Sequence, residues 1–185
     1  MSIQPSLIPR TKPGKQLHIK VEHRLNHIVT EQIQSAPTSP MATLWQHIGQ
    51  ALSGGKRTRP LLVDLGYHIV NDGEDPRIVE IGCAFELLHT ALVIHDDIID
   101  QDFIRRGKPT VSAHYRDEAL TQGKSRAAAE HIGQAAALLA GDALISKALH
   151  LLQTACGTQA HGQRIMEVFH TAIQHAAAGE LDDVL

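Results

Sequence analysis

Apolar residues recur at every third or fourth position over most of the chain, which is the spacing of one buried face of an α-helix. This pattern predicts helices over residues 17–34, 41–52, 56–70, 76–100, 110–120, 125–154 and 162–185, with a break or bend in the sixth near Gly141. No segment alternates apolar and polar residues as a β-strand does, and no internal repeat is apparent. The sequence therefore predicts an all-α fold.

Residues that break helices separate several of these segments. Residues 35–40 contain two prolines, and residues 71–76 form a turn rich in Asn, Asp and Gly. The residues before the first helix include prolines but no apolar segment typical of a signal peptide. We expect residues 1–14 to form a flexible N-terminal tail and residues 15–185 to form one helical domain.

The composition is that of an ordinary soluble globular protein. Hydrophobic residues make up 43% of the 185 positions and charged residues 20%, while aromatic residues make up only 3%. The net charge of -3 gives no reason to expect nucleic acid as a partner. Cys83 and Cys156 match no metal or redox spacing, which favours a cytoplasmic location. We expect no transmembrane segment, because Asp142 interrupts the longest apolar candidate.

The predicted helix that ends near Asp100 is apolar for most of its length and finishes in Asp96, Asp97 and Asp100. At about 100° per residue, Asp96 and Asp100 lie one turn apart on the same face, which His89 extends. Two carboxylates in this arrangement repel each other unless a cation lies between them. Their oxygen atoms suit a hard cation such as Mg²⁺, shared with a phosphorylated substrate. The alternative is a solvated helix end.

Two cationic segments flank this helix in the sequence. Residues 54–60 combine paired glycines with Lys56, Arg57 and Arg59 next to the start of a predicted helix, which suits a phosphate. Arg105 and Arg106 follow shortly after the carboxylates. Each segment alone could be merely a charged loop. Together they indicate a site for two anionic groups, one bound through a metal and the other held by cations.

In this order and spacing, the motifs resemble the first half of a trans-isoprenyl diphosphate synthase. This is the polyprenyl synthetase family, which includes the farnesyl and geranylgeranyl diphosphate synthases. The resemblance rests on residues 54–60, His89, residues 96–100 and residues 105–110, and it continues through 139–144 and 179–183. It implies an all-α, isoprenoid-synthase-type helical bundle that forms a homodimer, with the C-terminal helices of that bundle absent from this chain.

The resemblance also implies a role for each motif residue. Asp96 and Asp100 would ligate Mg²⁺ that bridges to the allylic diphosphate, with support from Asp97, and Arg105 would contact the same diphosphate. Isopentenyl diphosphate would be held by Lys56, Arg59, His89 and Arg106. The activity implied is a Mg²⁺-dependent prenyltransferase that condenses isopentenyl diphosphate with an allylic diphosphate. The departing diphosphate leaves an allylic carbocation, which the double bond of isopentenyl diphosphate attacks, so no enzyme nucleophile is needed.

Product length in this family depends on the residues four and five positions before the first Asp, where bulky aromatic side chains stop chain growth early. Here these positions are Leu92 and Ala91. The resemblance therefore implies a product longer than farnesyl diphosphate, with geranylgeranyl diphosphate or a longer product expected. Replacing Ala91 by Phe should shorten the product of a complete enzyme.

The chain departs from the family pattern in three places. It ends at Leu185 without the second Asp-rich motif, which in the family lies on a later helix and binds further Mg²⁺. Glu180 stands where the family usually has Gln, with Asp183 at the following Asp position. The connection formed by residues 116–133 is longer than in many members. We therefore expect a truncated, proteolysed or split-gene product that is inactive alone or nearly so.

Three other interpretations remain open from the sequence. A terpene cyclase shares the Asp-rich helix but has no use for a second diphosphate site built from Lys56, Arg59 and Arg106. A metal phosphohydrolase could be inferred from His95 and Asp96, although no clear further ligands appear in the sequence. A non-catalytic or regulatory subunit could keep the first half of the fold and dimerise through its helices.

Overall fold

The computed structural model describes residues 13–157 and 160–185, where it contains seven α-helices and one short hairpin. The helices are α1 (Pro13–Gln34), α2 (Ser39–Leu52), α3 (Thr58–His68), α4 (Arg77–Ile99), α5 (Val111–Thr121), α6 (Arg126–Cys156) and α7 (Ala160–Val184). Strands β1 (Ile104–Arg105) and β2 (Lys108–Pro109) pair antiparallel between α4 and α5. The all-α prediction is confirmed, and the helix ends lie within a few residues of those predicted.

Three details differ from the sequence prediction. The hairpin was not predicted, because strands of two residues are too short to show alternation. Helix α6 runs without a break through Gly141. Helix α1 begins at Pro13, inside the predicted tail, and the rest of that tail, residues 1–12, lies outside the described residues.

Side-chain caps fix the starts of three helices. The hydroxyl oxygens of Thr38, Thr110 and Ser125 accept hydrogen bonds from backbone N–H groups three residues later, at the first turns of α2, α5 and α6. Such caps satisfy N–H groups that have no partner within the helix, and each contributes about 1 kcal/mol. The cap at Thr110 matters most for the site, because Thr110 lies between strand β2 and helix α5 and fixes where the hairpin ends.

Helix α4 lies at the centre of the bundle and packs against every other helix. Leu87, Ala91 and Ile94 are almost fully buried on α4, and Ala137, Ala140 and Leu144 are their counterparts on α6. Alanine at these positions lets α4 and α6 approach closely, as the scarcity of aromatic residues predicts. The centre of the fold therefore holds the helix that carries His89 and the three carboxylates.

The argument that Asp142 leaves every apolar segment too short for a membrane span was wrong. In the described part of the chain, α4 and α6 are both long and apolar enough to cross a membrane by length and composition alone. This is weak evidence, because the core helices of soluble proteins pass the same test, and 56% of the apolar window of α4 is buried against the rest of the protein.

Candidate active site

A cavity of about 980 Å³ opens between the end of α2, the start of α3, the middle of α4 and the hairpin. Its lining is rich in cationic and titratable side chains, contributed by Lys56, Arg57, Arg59, His89, Arg105 and Arg106. The two cationic segments that flank α4 in the sequence therefore meet in space on one side of this helix.

The paired glycines bring these two segments together. Gly54 and Gly55 have φ values of +80° and +103°, a conformation that is open to glycine and strained for other residues. A β-carbon placed on Gly55 would lie 3.9 Å from Nη1 of Arg106. The loop before α3 thus passes directly beside the tip of the hairpin, where a phosphate could reach the backbone and the arginine together.

Arg57 behaves differently from its neighbours. Only 5% of the residue is exposed, whereas Lys56 and Arg59 on either side are exposed. Burial acts to lower the pKa of Arg57, but hydrogen bonds to Glu22 and Glu86 outweigh it, so that the pKa is raised. Sequence reasoning assigned Arg57 no separate role, because nothing local distinguishes a buried arginine within a cationic segment.

His89 lies on α4 within the cationic part of the cavity. Burial lowers the pKa of its imidazole, and the guanidinium group of Arg59 lowers it further. Glu86, one turn earlier on the helix, acts in the opposite direction, while Arg106 and Arg105 add to the lowering. The imidazole is therefore mostly neutral at pH 7, and an anion bound beside it would favour its protonated form.

The carboxylates at the end of α4 face two environments. Asp97 is 5% exposed and accepts a hydrogen bond from Nε of Arg105. Asp96 accepts another from Nη2 of the same arginine at 2.6 Å, whereas Asp100 is exposed to solvent. Burial raises the pKa of the Asp97 carboxyl, although the charge of Arg105 opposes this. Asp96 and Asp100 thus point to the outer side of the helix end, and Asp97 points inward.

The hairpin that carries Arg105 is firmly attached to the ends of α4 and α5. The backbone N–H of Asp102 donates to the carbonyl of Asp97 at 2.8 Å, and the hydroxyl of Thr110 donates to the carbonyl of Asp102 at 3.1 Å. Arg106 and Gly107 form the turn with φ values of +55° and +74°. On the other side, the guanidinium of Arg116 stacks 3.8 Å from the ring centre of Phe103.

A family model for polyprenyl synthetases matches residues 41–185. This chain belongs to the polyprenyl synthetase family. It is 42% identical over 103 residues to a geranylgeranyl diphosphate synthase of Sulfolobus acidocaldarius, covering 56% of this chain and 26% of that protein. It is 32% identical over 132 residues to a geranylfarnesyl diphosphate synthase of Methanosarcina mazei, covering 71% of this chain and 37% of that protein.

Solved structures of polyprenyl synthetases have the same helical bundle. A geranylgeranyl pyrophosphate synthase of Corynebacterium glutamicum, complexed with isoprenyl diphosphate and magnesium, matches with a TM-score of 0.68 and 27% identity. The match covers 81% of this chain and 43% of that one. A geranyltranstransferase of Thermotoga maritima matches with a TM-score of 0.63 and 27% identity, over 90% of this chain and 54% of that one. The chain thus spans about half the length of these structures and less of the curated relatives.

Six of the eight polyprenyl synthetase motif residues singled out in the sequence line this cavity. Lys56, Arg59, His89, Arg105 and Arg106 line it directly. Asp97 lines it as well, whereas Asp96 and Asp100 do not, and Asp96 is connected to the cavity wall through its hydrogen bond from Arg105. The structure therefore brings together the residues that the motifs suggested, and their individual roles remain predictions.

Glu180 on α7 lies near the carboxylates of α4. Partial burial raises the pKa of its carboxyl, and the negative charges of Asp96, Asp100 and Asp183 raise it further. The end of α7 therefore adds negative charge to the carboxylate end of α4.

The residues present fit a magnesium ion that arrives with a diphosphate. In residues 13–157 and 160–185, no group of three or more His, Cys, Asp or Glu side chains is arranged to hold a metal on its own. Asp96 and Asp100 still offer two carboxylates, and proteins usually hold Mg²⁺ through one or two carboxylates, with water and substrate phosphates completing the coordination. The negative charges of Asp96 and Asp100 that act on Glu180 would also attract a cation.

Two further histidines in the cavity wall were not singled out in the sequence. His47 on α2 stacks on His114 of α5 with a ring-centre distance of 4.3 Å, and both line the cavity. Burial lowers the pKa of His47, and the nearby His114 lowers it further. No sequence signal pairs residues so far apart, because their contact depends on how α2 and α5 pack.

Proposed function

We propose that this chain provides one wall of the active site of a Mg²⁺-dependent trans-prenyltransferase, which condenses isopentenyl diphosphate with an allylic diphosphate. The observation that supports this most strongly is the meeting of the two cationic segments and His89 around one cavity, which Asp97 also lines and whose Arg105 binds Asp96. Cations and a carboxylate pair side by side suit two diphosphates, one held directly and the other through a metal.

Isopentenyl diphosphate is the ligand we propose for the cationic part of the cavity. Lys56 comes from the loop before α3, Arg59 from the first turn of α3, Arg106 from the hairpin tip and His89 from α4. Residues from different elements would thus surround the diphosphate of isopentenyl diphosphate and hold it in place. The hydrocarbon end of the same molecule would stay free. Because His89 gains a proton more easily beside an anion, it adds a further charge-assisted hydrogen bond on binding.

The allylic diphosphate is the ligand we propose for the carboxylate end of α4. Asp96 and Asp100 would hold Mg²⁺, which when bound stabilises the negative charge that builds up on the departing diphosphate. Arg105 donates to Asp96 and Asp97 through Nη2 and Nε, which fixes the plane of its guanidinium. A guanidinium held in this way presents its remaining N–H groups to the diphosphate without further loss of side-chain entropy.

The proposed reaction breaks the bond between the allylic carbon and its diphosphate oxygen. The double bond of isopentenyl diphosphate then forms the new carbon–carbon bond, and a proton leaves to the released diphosphate. The chain's own contribution is to hold both diphosphates and to stabilise charge, and no side chain forms a covalent intermediate.

Geranylgeranyl diphosphate or a longer product is our proposal for chain length. Leu92 lies on the same face of α4 as Asp96 and is partly exposed, whereas Ala91 is completely buried. Neither is a bulky aromatic side chain of the kind that stops chain growth early in this family. In a complete enzyme, Ala91→Phe should shorten the product. Because Ala91 is buried, the larger ring should also lower the free energy of unfolding by about 1–3 kcal/mol.

A homodimer in the cytoplasm completes the proposal. Both cysteines, Cys83 and Cys156, are buried free thiols, which fits a reducing compartment. Burial raises the pKa of Cys83 to about 12, so that this thiol stays protonated and unreactive. Light scattering coupled to size exclusion would test the dimer, and a monomer at micromolar concentration would count against it.

A synthase assay tests the proposed function. The purified chain, verified by intact mass, is incubated with Mg²⁺, labelled isopentenyl diphosphate and an allylic diphosphate, and extracted prenyl products are separated by chromatography. Isopentenyl-dependent products that disappear in Asp96→Asn would support a synthase. A chain that binds both substrates without turnover would indicate a partial site or a non-catalytic subunit. Products formed from the allylic substrate alone would indicate a cyclase and contradict the proposal.

A further inference from the structure

Arg57 has an unusual backbone conformation for a buried arginine. Its φ and ψ angles are 48° and 44°, in the left-handed region that residues with a β-carbon seldom adopt. Such a conformation is strained and persists only where surrounding contacts stabilise it. At this position, just before α3, it turns the arginine side chain into the protein while the exposed Lys56 and Arg59 stay at the cavity.

The guanidinium of Arg57 connects three helices. Nε and Nη2 donate to the two carboxylate oxygens of Glu22 on α1, at 2.6 and 3.1 Å. Nη1 donates to Oε1 of Glu86 on α4 at 3.1 Å, and Nη2 also donates to the carbonyl of Leu52 at the end of α2, at 2.6 Å. A lysine could not reproduce this set, because its single ammonium cannot form a planar two-atom pair with Glu22.

A second contact holds the same segment three residues later. A β-carbon on Gly82 of α4 would lie 3.0 Å from both Cα and Cβ of Pro60, so that Pro60 sits in a notch which glycine leaves open. The segment from Arg57 to Pro60 is thus attached to α4 at both of its ends. Because Arg59 lies inside this segment and Lys56 directly before it, their position relative to His89 depends on these attachments.

We propose that Arg57 is a positioning residue for diphosphate binding. Although the residue borders the cavity, its guanidinium is taken up by Glu22, Glu86 and the carbonyl of Leu52. Arg57 fixes the segment so that Lys56 and Arg59 face the same anion as His89. Glu86 connects Arg57 to the His89 side of the cavity. It accepts a hydrogen bond from Arg57 and lies one turn before His89 on α4. Its Oε2 atom is buried without a hydrogen-bond partner among the described residues. This inference rests on the proposed function only in that the cavity binds a diphosphate.

The experiment compares Arg57→Ala with Arg24→Ala. Arg24 also joins α1 to α4, through a 2.7 Å hydrogen bond to Glu80, but it does not line the cavity. Binding of isopentenyl diphosphate without Mg²⁺ is measured by calorimetry well below the melting temperature of each variant. We expect Arg57→Ala to raise the dissociation constant by about tenfold or more, as the loss of a residue that orients the binding side chains commonly does. Arg24→Ala should keep the affinity of the parent chain while also losing stability.

Each outcome supports the inference or overturns it. Equal affinity of the folded Arg57→Ala and parent chains would overturn the positioning role and leave the proposed function intact. An equal loss in both variants would show that destabilisation alone weakens binding, which also overturns it. If Arg57→Ala does not fold, Arg57→Lys is measured instead, and an unchanged dissociation constant there overturns the role. A parent chain that does not bind isopentenyl diphosphate removes the proposed function and this inference together.

Discussion

The imidazole of His95 on α4 occupies the space in which a side chain at position 141 of α6 would lie. A β-carbon on Gly141 would be only 2.0 Å from Nε2 of His95, which itself lies 3.3 Å from the carbonyl oxygen of Leu138. This contact joins the two central helices one residue before Asp96. It also explains why α6 continues through a glycine, since the packing offsets the roughly 1 kcal/mol that glycine costs inside a helix.

Gly141→Ala should therefore destabilise the protein although alanine favours helices. We expect the free energy of unfolding to fall by about 1–3 kcal/mol, because the added methyl group must displace His95. The matched control is Gly66→Ala on α3, where a β-carbon would meet nothing within 4 Å. That variant should gain stability by about 0.5–1 kcal/mol from helix propensity alone. Urea unfolding followed by circular dichroism measures both, and equal effects of the two substitutions would contradict the packing argument.

Arg105→Lys should separate the two proposed diphosphate sites. Lysine lacks the planar guanidinium that donates to Asp96 and Asp97 together, so the cation beside the carboxylates is no longer held in a fixed orientation, while the backbone contacts of the hairpin remain. We expect Mg²⁺-dependent binding of an allylic diphosphate to weaken by at least about tenfold, which corresponds to 1.4 kcal/mol. Binding of isopentenyl diphosphate should change little.

The control for this variant is Arg126→Lys, which alters an exposed ion pair with Glu130 on α6. Surface pairs of this kind contribute between about 0 and 1 kcal/mol, so neither stability nor binding should change noticeably. Equal losses in the affinities for both diphosphates after Arg105→Lys would show that the sites are not separable.

Binding of isopentenyl diphosphate should depend on pH through His89. The pKa of the free imidazole is lowered by burial and by Arg59, so the ring is mostly neutral at pH 7, and the bound anion stabilises its protonated form. Affinity should therefore rise as the pH falls from about 7.5 toward about 5.5, a range that spans the ordinary histidine pKa. Because the diphosphate also titrates in this range, the informative quantity is the difference between the parent chain and His89→Asn. Parallel pH profiles for the two proteins would contradict the role of His89.

The stacked pair of His47 and His114 should make the fold sensitive to acid. The pKa of His47 is lowered in the folded state, so below about pH 6.5 the unfolded chain binds the proton more readily. The free energy of unfolding should thus decrease as pH falls through this range. His47→Asn should reduce this dependence, whereas the same substitution at the exposed His170 should leave it unchanged. Chemical unfolding at a series of pH values measures the slopes, and identical slopes in all three proteins would contradict this assignment.

The helices were predictable because each has an apolar face with helical spacing, and α4 also ends in a group of carboxylates. The members of the site were predictable from their order along the chain and from their resemblance to a known family. The contacts that hold these residues in place were not predictable. The inward turn of Arg57 depends on Glu22, which is 35 residues away in the sequence. The stacking of His47 on His114 likewise depends on tertiary packing, which no local pattern records.

The hairpin between α4 and α5 also could not be predicted from local sequence. Its turn contains Arg106 and Gly107, a combination compatible with positive φ angles, but its strands hold only two residues each. The hairpin forms because Asp102 and Thr110 tie it to the ends of the helices, so its stability comes from neighbours and not from strand propensity.

The central claim is that the chain holds two diphosphates by different means, one in the cationic cavity and one at the adjoining carboxylate end of α4, and calorimetry with each ligand in turn tests it most directly. Isopentenyl diphosphate should bind with or without Mg²⁺ and lose affinity in Lys56→Ala. A non-ionising allylic diphosphate analogue should bind only with Mg²⁺, should lose affinity in Asp100→Asn, and should still bind when the first ligand is saturating. Competition between the two ligands for a single site, or binding of the allylic analogue without Mg²⁺ at equal affinity, would contradict the account.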